Sequence, residues 1–379
     1  MPMPSPTASN APTPAPTAEP TPSAAPEPVR IGAMQLGDQG RATGVNSHQW
    51  VSVVMDQPNS MVSVSGELLL PPDAGPQAMP PPELPCRDIS DPNSPGFCFH
   101  EFDIPLQVAS DDRIRGYRVF FGSGGPFVPL DYLFTADGGA RELLAQQYVI
   151  ELVNQQGLRE IDPVVGKGAV FAALLGLAPS GSDLEQVPVF WTMLGATSTD
   201  RLPAAGFSQG PRPTGIDLDG RIAGAGITPA LPVVWLPSGD GYALDELPAL
   251  VGGGQGGALA IDGGVLVGWS TDAAGNSRAV VWTPAGAGFA VAPLPVPEGM
   301  TGCARATAID GDRVAGECSD GSGATLGAAW RLDPAAAQAI LDPLAGDGAA
   351  HPLAVSGDLV VGWSGSDTQS RPAAWRLPE

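Results

Sequence analysis

The chain has 379 residues, 43% of them hydrophobic, and a formal net charge of −22. That acidity argues against nucleic acid and anionic membrane surfaces as partners, because both require a basic footprint. The longest apolar stretch lies near 169–178 and is too short for the roughly 20 residues that cross a bilayer, so no direct membrane insertion is expected.

Residues 1–28 contain ten prolines and no aromatic residue, the composition of an extended, disordered tether. The opening "MPMPSPTASN" shows neither the basic start nor the apolar run of a signal peptide. Next comes "VRIGAMQL", Val29–Leu36, with the length and apolar character of a strand.

From Arg41, "RATGVNSHQWVSV" aligns with "RATAIDGDRVAGE" from Arg305, setting Asn46 on Asp310 and Ser52 on Gly316. An insertion near 71–100 is Pro-rich and carries Cys86 and Cys98. From Pro105, "PLQVASDDRIRGYR" aligns with "PLAVSGDLVVGWS" from Pro352, matching Gly116 to Gly362 and Tyr117 to Trp363. A second insertion is read near 123–145, and "GKGAVFAALLGLA…PVFWTM" then supplies Gly176 and Trp191.

The second half repeats itself openly. Four stretches begin at Ile216, Ala260, Ala308 and Ala354, each with a marker glycine (Gly224, Gly268, Gly316, Gly362) and a later tryptophan (Trp235, Trp282, Trp330, Trp375). The glycines lie 44, 48 and 46 residues apart. Within one copy, Ala306–Ile309, Arg313–Cys318, Leu326–Leu332 and Ala339–Leu344 read as four strands, the first two joined by the hairpin signal Asp310-Gly311. Four strands in about 45 residues is the size of one β-propeller blade. The last copy stops after its third strand, and Val29–Leu36 is the natural candidate for the missing fourth, which would cover an open edge. The expected fold is therefore all-β, a β-propeller over 29–379 with seven four-stranded blades closed by an N-terminal strand. A β-sandwich over 29–156 followed by a five-bladed ring over 157–379 is the competing reading.

The four cysteines form two local pairs, Cys86 with Cys98 and Cys303 with Cys318, the second at mirror positions across the Asp310-Gly311 turn. Zinc is the alternative, but the chain has no C-x-x-C and only His100 lies close in sequence, which favours disulfides and an oxidising compartment.

The repeat pattern "A-x-x-I-[DN]-x-x-G-x-V-[VA]-G-x-S…A-x-x-W" is similar to that of the extracellular HAF-type repeat proteins of bacteria. "RATGVNSHQW" and "ATAIDGDRVAG" carry the likeness, but "AVVW", "GAAW" and "PAAW" stand where that family has His-Ala-Phe. The resemblance implies a secreted, repetitive protein without established catalytic residues.

Catalytic motifs fail on context. "GFSQG", Gly206–Gly210, matches the nucleophile elbow, yet Pro211 and Pro213 forbid the helix that must follow Ser208. "GGGQGG", Gly252–Gly257, contains G-x-G-x-x-G but runs into a strand, so it reads as a linker between blades. The three histidines, His48, His100 and His351, are far apart in sequence, and "FHEF" at Phe99–Phe102 lacks the H-E-x-x-H spacing of a zinc helix. Two features remain as candidate sites. Asn46, Asp111, Asp217, Asp262 and Asp310 occupy the turn between the first two strands and would line one rim; the four aspartates could hold Ca²⁺, although Asx residues also favour tight turns for local reasons. Tyr117, Trp269 and Trp363 share one position on the second strand, where they either bind a ligand or pack between blades. These features point to a secreted, surface-tethered or periplasmic monomer acting as a non-enzymatic binding or scaffold module for a glycan or protein ligand. No cofactor is implied apart from possible Ca²⁺. A carbohydrate-active enzyme is the alternative, and it needs a pair of carboxylates in a pocket.

Overall fold

The computed structural model describes residues 29–379 except 37, 46–48, 50, 57–63, 70–75, 79–98, 109–113, 122–127, 135–139, 143–147, 149–150, 153–154, 162–163, 168–169, 179–182, 193–195, 333–337 and 379; between 54 and 142 only the strand backbone is described. Asn46, His48, Cys86, Cys98 and Asp111 lie outside the described residues.

The described strands form seven sheets, numbered here in chain order. Sheet 1 contains Arg41–Val45, Val51–Asp56, Val64–Leu69 and Pro76–Ala78; sheet 2 contains Phe99–Val108, Ile114–Phe121, Val128–Phe134 and Ala140–Glu142. In sheet 3, Leu158–Ile161 and Val165–Lys167 both pair with Val170–Leu177, followed by Glu185–Trp191 and Asp200–Arg201. Sheet 4 runs Arg212–Ile216, Ile222–Ala225, Pro232–Ser238, Gly241–Glu246, and sheet 5 runs Gly256–Asp262, Val265–Thr271, Ser277–Ala285, Gly288–Pro293. Sheet 6 has Met300–Asp310, Arg313–Asp320, Thr325–Arg331 and Ala339–Leu341; sheet 7 has Ala350–Ser356, Leu359–Ser366 and Gln369–Arg376. Pairing within these sets is antiparallel between consecutive strands, as short hairpin turns require.

The segment Val29–Leu36 divides between two sheets instead of forming one strand. Val29–Ile31 adds a fifth, parallel strand to Ala339–Leu341 of sheet 6, and Met34–Gln35 pairs antiparallel with Ala373–Ala374 of sheet 7. Gly32-Ala33 separates the two short runs, and Arg30 clamps the first through an ion pair to Asp342. A second correction concerns 123–145: Val128–Phe134 and Ala140–Glu142 are the third and fourth strands of sheet 2, not an insertion. Pro76–Ala78, inside the first presumed insertion, likewise closes sheet 1.

Register also moves two markers. Gly316 lies opposite Ala306 and, on its other side, Ala328, two residues from Trp330. The same relations put Val53 in the place assigned to Ser52, because Val53 faces Ala42, and Ala173 in the place assigned to Gly176. Where the marker is glycine the reason is close approach. A Cβ on Gly316 would meet the Arg305 carbonyl at 2.3 Å and the Trp330 ring at 3.0 Å. Beside it the first strand bulges, between Ala306 and Ala308, and six of the seven sheets share this irregularity. Threonines at the bulge link neighbouring sheets: Thr214 donates to the Ala258 carbonyl at 2.7 Å and Thr307 to the Pro352 carbonyl at 2.8 Å.

First strands of successive sheets pack on one another from sheet 3 through sheet 7, and that of sheet 7 packs on that of sheet 1. Ala42, Val45, Val51 and Val53 of sheet 1 share an apolar cluster with Leu359, Val361 and Ala374 of sheet 7. The recurring tryptophans are the largest fully buried side chains of this core. Each turns its indole N–H to a carbonyl in the linker entering its own sheet: Trp235 to Pro203, Trp282 to Pro248, Trp330 to Pro295 and Trp375 to Asp342, all at 2.7–2.8 Å. Burying such a ring contributes about 4–6 kcal/mol gross from 150–250 Å² of area, and the hydrogen bond removes the cost of a buried donor.

Candidate functional site

The two ends of the sheets differ chemically. At one end lie the turns between first and second strands, with the aspartates expected to line a rim. The three described carboxylates each reach the next sheet: Asp217 Oδ2 accepts from Gly264 N–H (3.0 Å), Asp262 Oδ2 from Gly311 N–H (2.9 Å), and Asp310 Oδ2 from Gly357 N–H (2.7 Å). Asp217, whose side chain is fully buried, also accepts from the backbone of Asp219 and Arg221 and pairs with the Arg221 guanidinium. Lys167, on sheet 3, passes sheet 4 to reach Asp262 Oδ1 at 2.7 Å. Burial pushes the Asp262 carboxyl up, but the bonds from Lys167 and Gly311 outweigh it and hold the group below its ordinary range. These carboxylates fasten one turn to the next, and among the described residues no three His, Cys, Asp or Glu side chains gather as a metal site.

The opposite end holds the more unusual chemistry. The strand position after the marker carries Tyr117, Ala225, Trp269, Glu317 and Trp363, and register sets these opposite Ile104, Arg212, Gly257, Arg305 and His351 on the first strands. Arg41 of sheet 1 occupies the same row. Glu317 accepts two hydrogen bonds from Arg305, at 2.7 and 3.0 Å, and its Oε1 lies 2.9 Å from His351 Nδ1, where the ring N–H donates to the carboxylate. Burial pushes the Glu317 carboxyl up; the bonds and charges of His351 and Arg305 outweigh it, so it is held below its ordinary range. The His351 ring stacks on Trp363, with centroids 3.8 Å apart and planes at 15°, and the Arg41 guanidinium lies 4.5 Å over the Trp363 ring. Arg41 in turn donates to Asp367. One connected group thus spans sheets 6, 7 and 1: Arg305, Glu317, His351, Trp363, Arg41, Asp367.

The candidate aromatics therefore differ in circumstance. Trp363 is 6% exposed, with His351 and Arg41 stacked on it, whereas Trp269 is half-buried and faces Gly257, a residue with no side chain to stack. Tyr117 falls in the same strand position, but its side chain lies outside the described residues. Sequence alone does not single out Glu317 and Arg305, because three other members of this column, Tyr117, Trp269 and Trp363, are aromatic, and His351 stands far from the other two histidines in the chain. The alignment of Arg41 with Arg305 was the signal available. Ser208 itself donates to the Thr228 carbonyl, and Leu250–Gly253 forms a turn, closed by the Gly253 N–H on the Leu250 carbonyl, before the strand at Gly256. Cys303 and Cys318 are joined, at the position where sheets 5 and 7 use Ser270 and Ser364 to tie the entering linker.

The sequence matches no protein-family model and no curated protein sequence. Among solved structures it is similar to TolB from Acinetobacter baumannii (10% identity, TM-score 0.42, 81% of this chain and 65% of that one), to a prolyl endopeptidase (12%, 0.50, 89% and 47%) and to the BP39L lectin from Burkholderia pseudomallei (12%, 0.48, 93% and 96%). The chain spans less than two thirds of the length of the first two. The neighbours include β-propeller proteins, and the likeness at a TM-score of 0.50 bears on the fold alone. No helix among the described residues is long and apolar enough to cross a membrane.

Proposed function

We propose that the chain is a closed seven-bladed β-propeller that serves as a non-enzymatic binding or scaffold module outside the cytoplasm. The observation that carries the non-enzymatic reading is the state of the two buried carboxylates among the described residues, Asp217 and Glu317. They lie on different sheets and at opposite ends. Asp217 is spent on backbone N–H groups and Arg221, and Glu317 on Arg305 and His351. A glycosidase acid must keep its proton near neutral pH, which needs a raised pKa; Glu317 is shifted the other way. The seven-sheet count, the packing of sheet 7 on sheet 1 and the division of Val29–Gln35 over sheets 6 and 7 support closure. The Cys303–Cys318 disulfide supports an oxidising compartment. Half-buried Trp269 and the half-exposed Arg305 side chain favour the end that carries them as the ligand face, with a glycan or peptide as ligand.

One observation favours an enzyme: a buried carboxylate in contact with an imidazole. Screening the purified protein on glycan and peptide arrays, alongside hydrolase and lyase assays of the native chain and Glu317→Gln, separates the two. Saturable binding without turnover is expected. Turnover that disappears in a folded Glu317→Gln variant would establish the enzyme instead.

A further inference from the structure

A groove of 580 Å³ lies at sheet 5, bounded by the linker entering that sheet and the linker leaving it. Leu250, Val291, Pro293, Leu294 and Val296 supply most of its walls, and Arg278 with Asp272 supplies its charged groups. The volume falls within the roughly 300–1,000 Å³ of small-molecule sites, and so does the pattern of an apolar lining with few polar groups. Val251 at its border is 94% exposed and Val296 is also exposed, apolar surface left open on a strongly acidic protein.

The guanidinium is what gives the groove a chemical preference. Arg278 faces Ser270 across sheet 5 as Arg371 faces Ser364 across sheet 7. Arg371 spends both ends of its fork, Nε on Asp347 and Nη2 on the Ala345 carbonyl. Arg278 donates Nε to Asp272, and among the described residues neither Nη nitrogen has a hydrogen-bond partner. Asp272 is itself committed to the Ala274 and Asn276 N–H groups of its turn. A guanidinium with both Nη groups free is suited to a carboxylate. The leaving linker disfavours a peptide. Residues 293, 295 and 297 are prolines without N–H groups, the Pro295 carbonyl is taken by Trp330 and the Pro297 carbonyl by Met300.

We propose that this groove binds a small apolar monocarboxylate, its chain lying against Leu250, Val291, Leu294 and Val296 and its carboxylate on the Nη groups of Arg278. The site is separate from the Glu317 cluster and stands or falls independently of it. Decanoate, decanol and decyltrimethylammonium should be titrated calorimetrically at 0.15 M salt, where repulsion by distant carboxylates is screened beyond about 8 Å, into the native chain, Arg278→Gln and Val296→Asp. Decanoate is expected to bind the native chain. Arg278→Gln should weaken it about tenfold or more at an unchanged melting temperature, and Val296→Asp should weaken all apolar ligands. Equal binding of decanoate and the decyl cation, or full decanoate affinity in Arg278→Gln, would overturn the proposal. So would a peptide with an apolar C-terminal residue binding more tightly than decanoate in an Arg278-dependent way.

Discussion

Asp262 Oδ2 accepts a hydrogen bond from the backbone N–H of Gly311, 49 residues further along the chain and one sheet away. Asp217 and Asp310 make the same reach, to Gly264 and Gly357. A residue type that sequence reading assigns to local turn geometry thus works between sheets, fastening each hairpin to the next.

Removing one such clasp should cost more than removing a surface carboxylate. Asp262→Ala deletes the Gly311 bond and leaves Lys167 without its partner, so a loss of about 2 kcal/mol is expected in urea unfolding. Lys167→Met leaves the Gly311 bond in place and should cost less. A larger effect for Lys167→Met would show that the ion pair, not the clasp, carries the stabilisation.

Acid should loosen the Glu317 cluster. The carboxyl is held below its ordinary value of 4.5, so it contributes stability that is fully present above that value and is lost as pH falls through its folded pKa. Melting temperature should therefore drop below about pH 4.5 in the native chain, and part of that drop should be missing in Glu317→Gln. Identical acid profiles for the two proteins would mean that the cluster contributes nothing to acid sensitivity.

The Cys303–Cys318 disulfide closes a short loop across a hairpin, with 15 residues of sequence separation, worth about 3 kcal/mol in the chain-entropy picture. Cys303→Ala/Cys318→Ser should still fold, since Ser270 and Ser364 serve the same position in sheets 5 and 7, but should melt earlier. Free thiols at both positions in the native protein, found by alkylation and peptide mapping, would contradict the pairing.

Much of the fold was legible because it recurs. The interval between glycines, the Asp-Gly turns and the buried tryptophans are repeated signals, and the 303–318 pairing followed from mirror positions across one turn. Sheet 2 was harder to read because no tryptophan marks its third strand: Phe134 takes that place opposite Ile114. Ala173, at the marker position of sheet 3, is hidden in the apolar run "VFAALLGL", where Gly176 is the more visible residue. The Glu317 cluster was legible only in the alignment of Arg41 with Arg305. Its members come from three sheets, and nothing in one repeat announces that Glu317 of sheet 6 meets His351 of sheet 7.

The N-terminal segment completes two sheets at once. Val29–Ile31 covers the edge of sheet 6, Met34–Gln35 covers the edge of sheet 7, and Leu36 N–H donates to the Pro372 carbonyl. Thermal unfolding of the full chain should be compared with chains beginning at residue 29 and at residue 37. Loss of residues 1–28 should leave the melting temperature unchanged. Loss through Leu36 exposes two strand edges and their backbone groups, and should lower it by far more than eight surface residues would. Equal melting temperatures for all three chains would contradict the proposed closure of the ring.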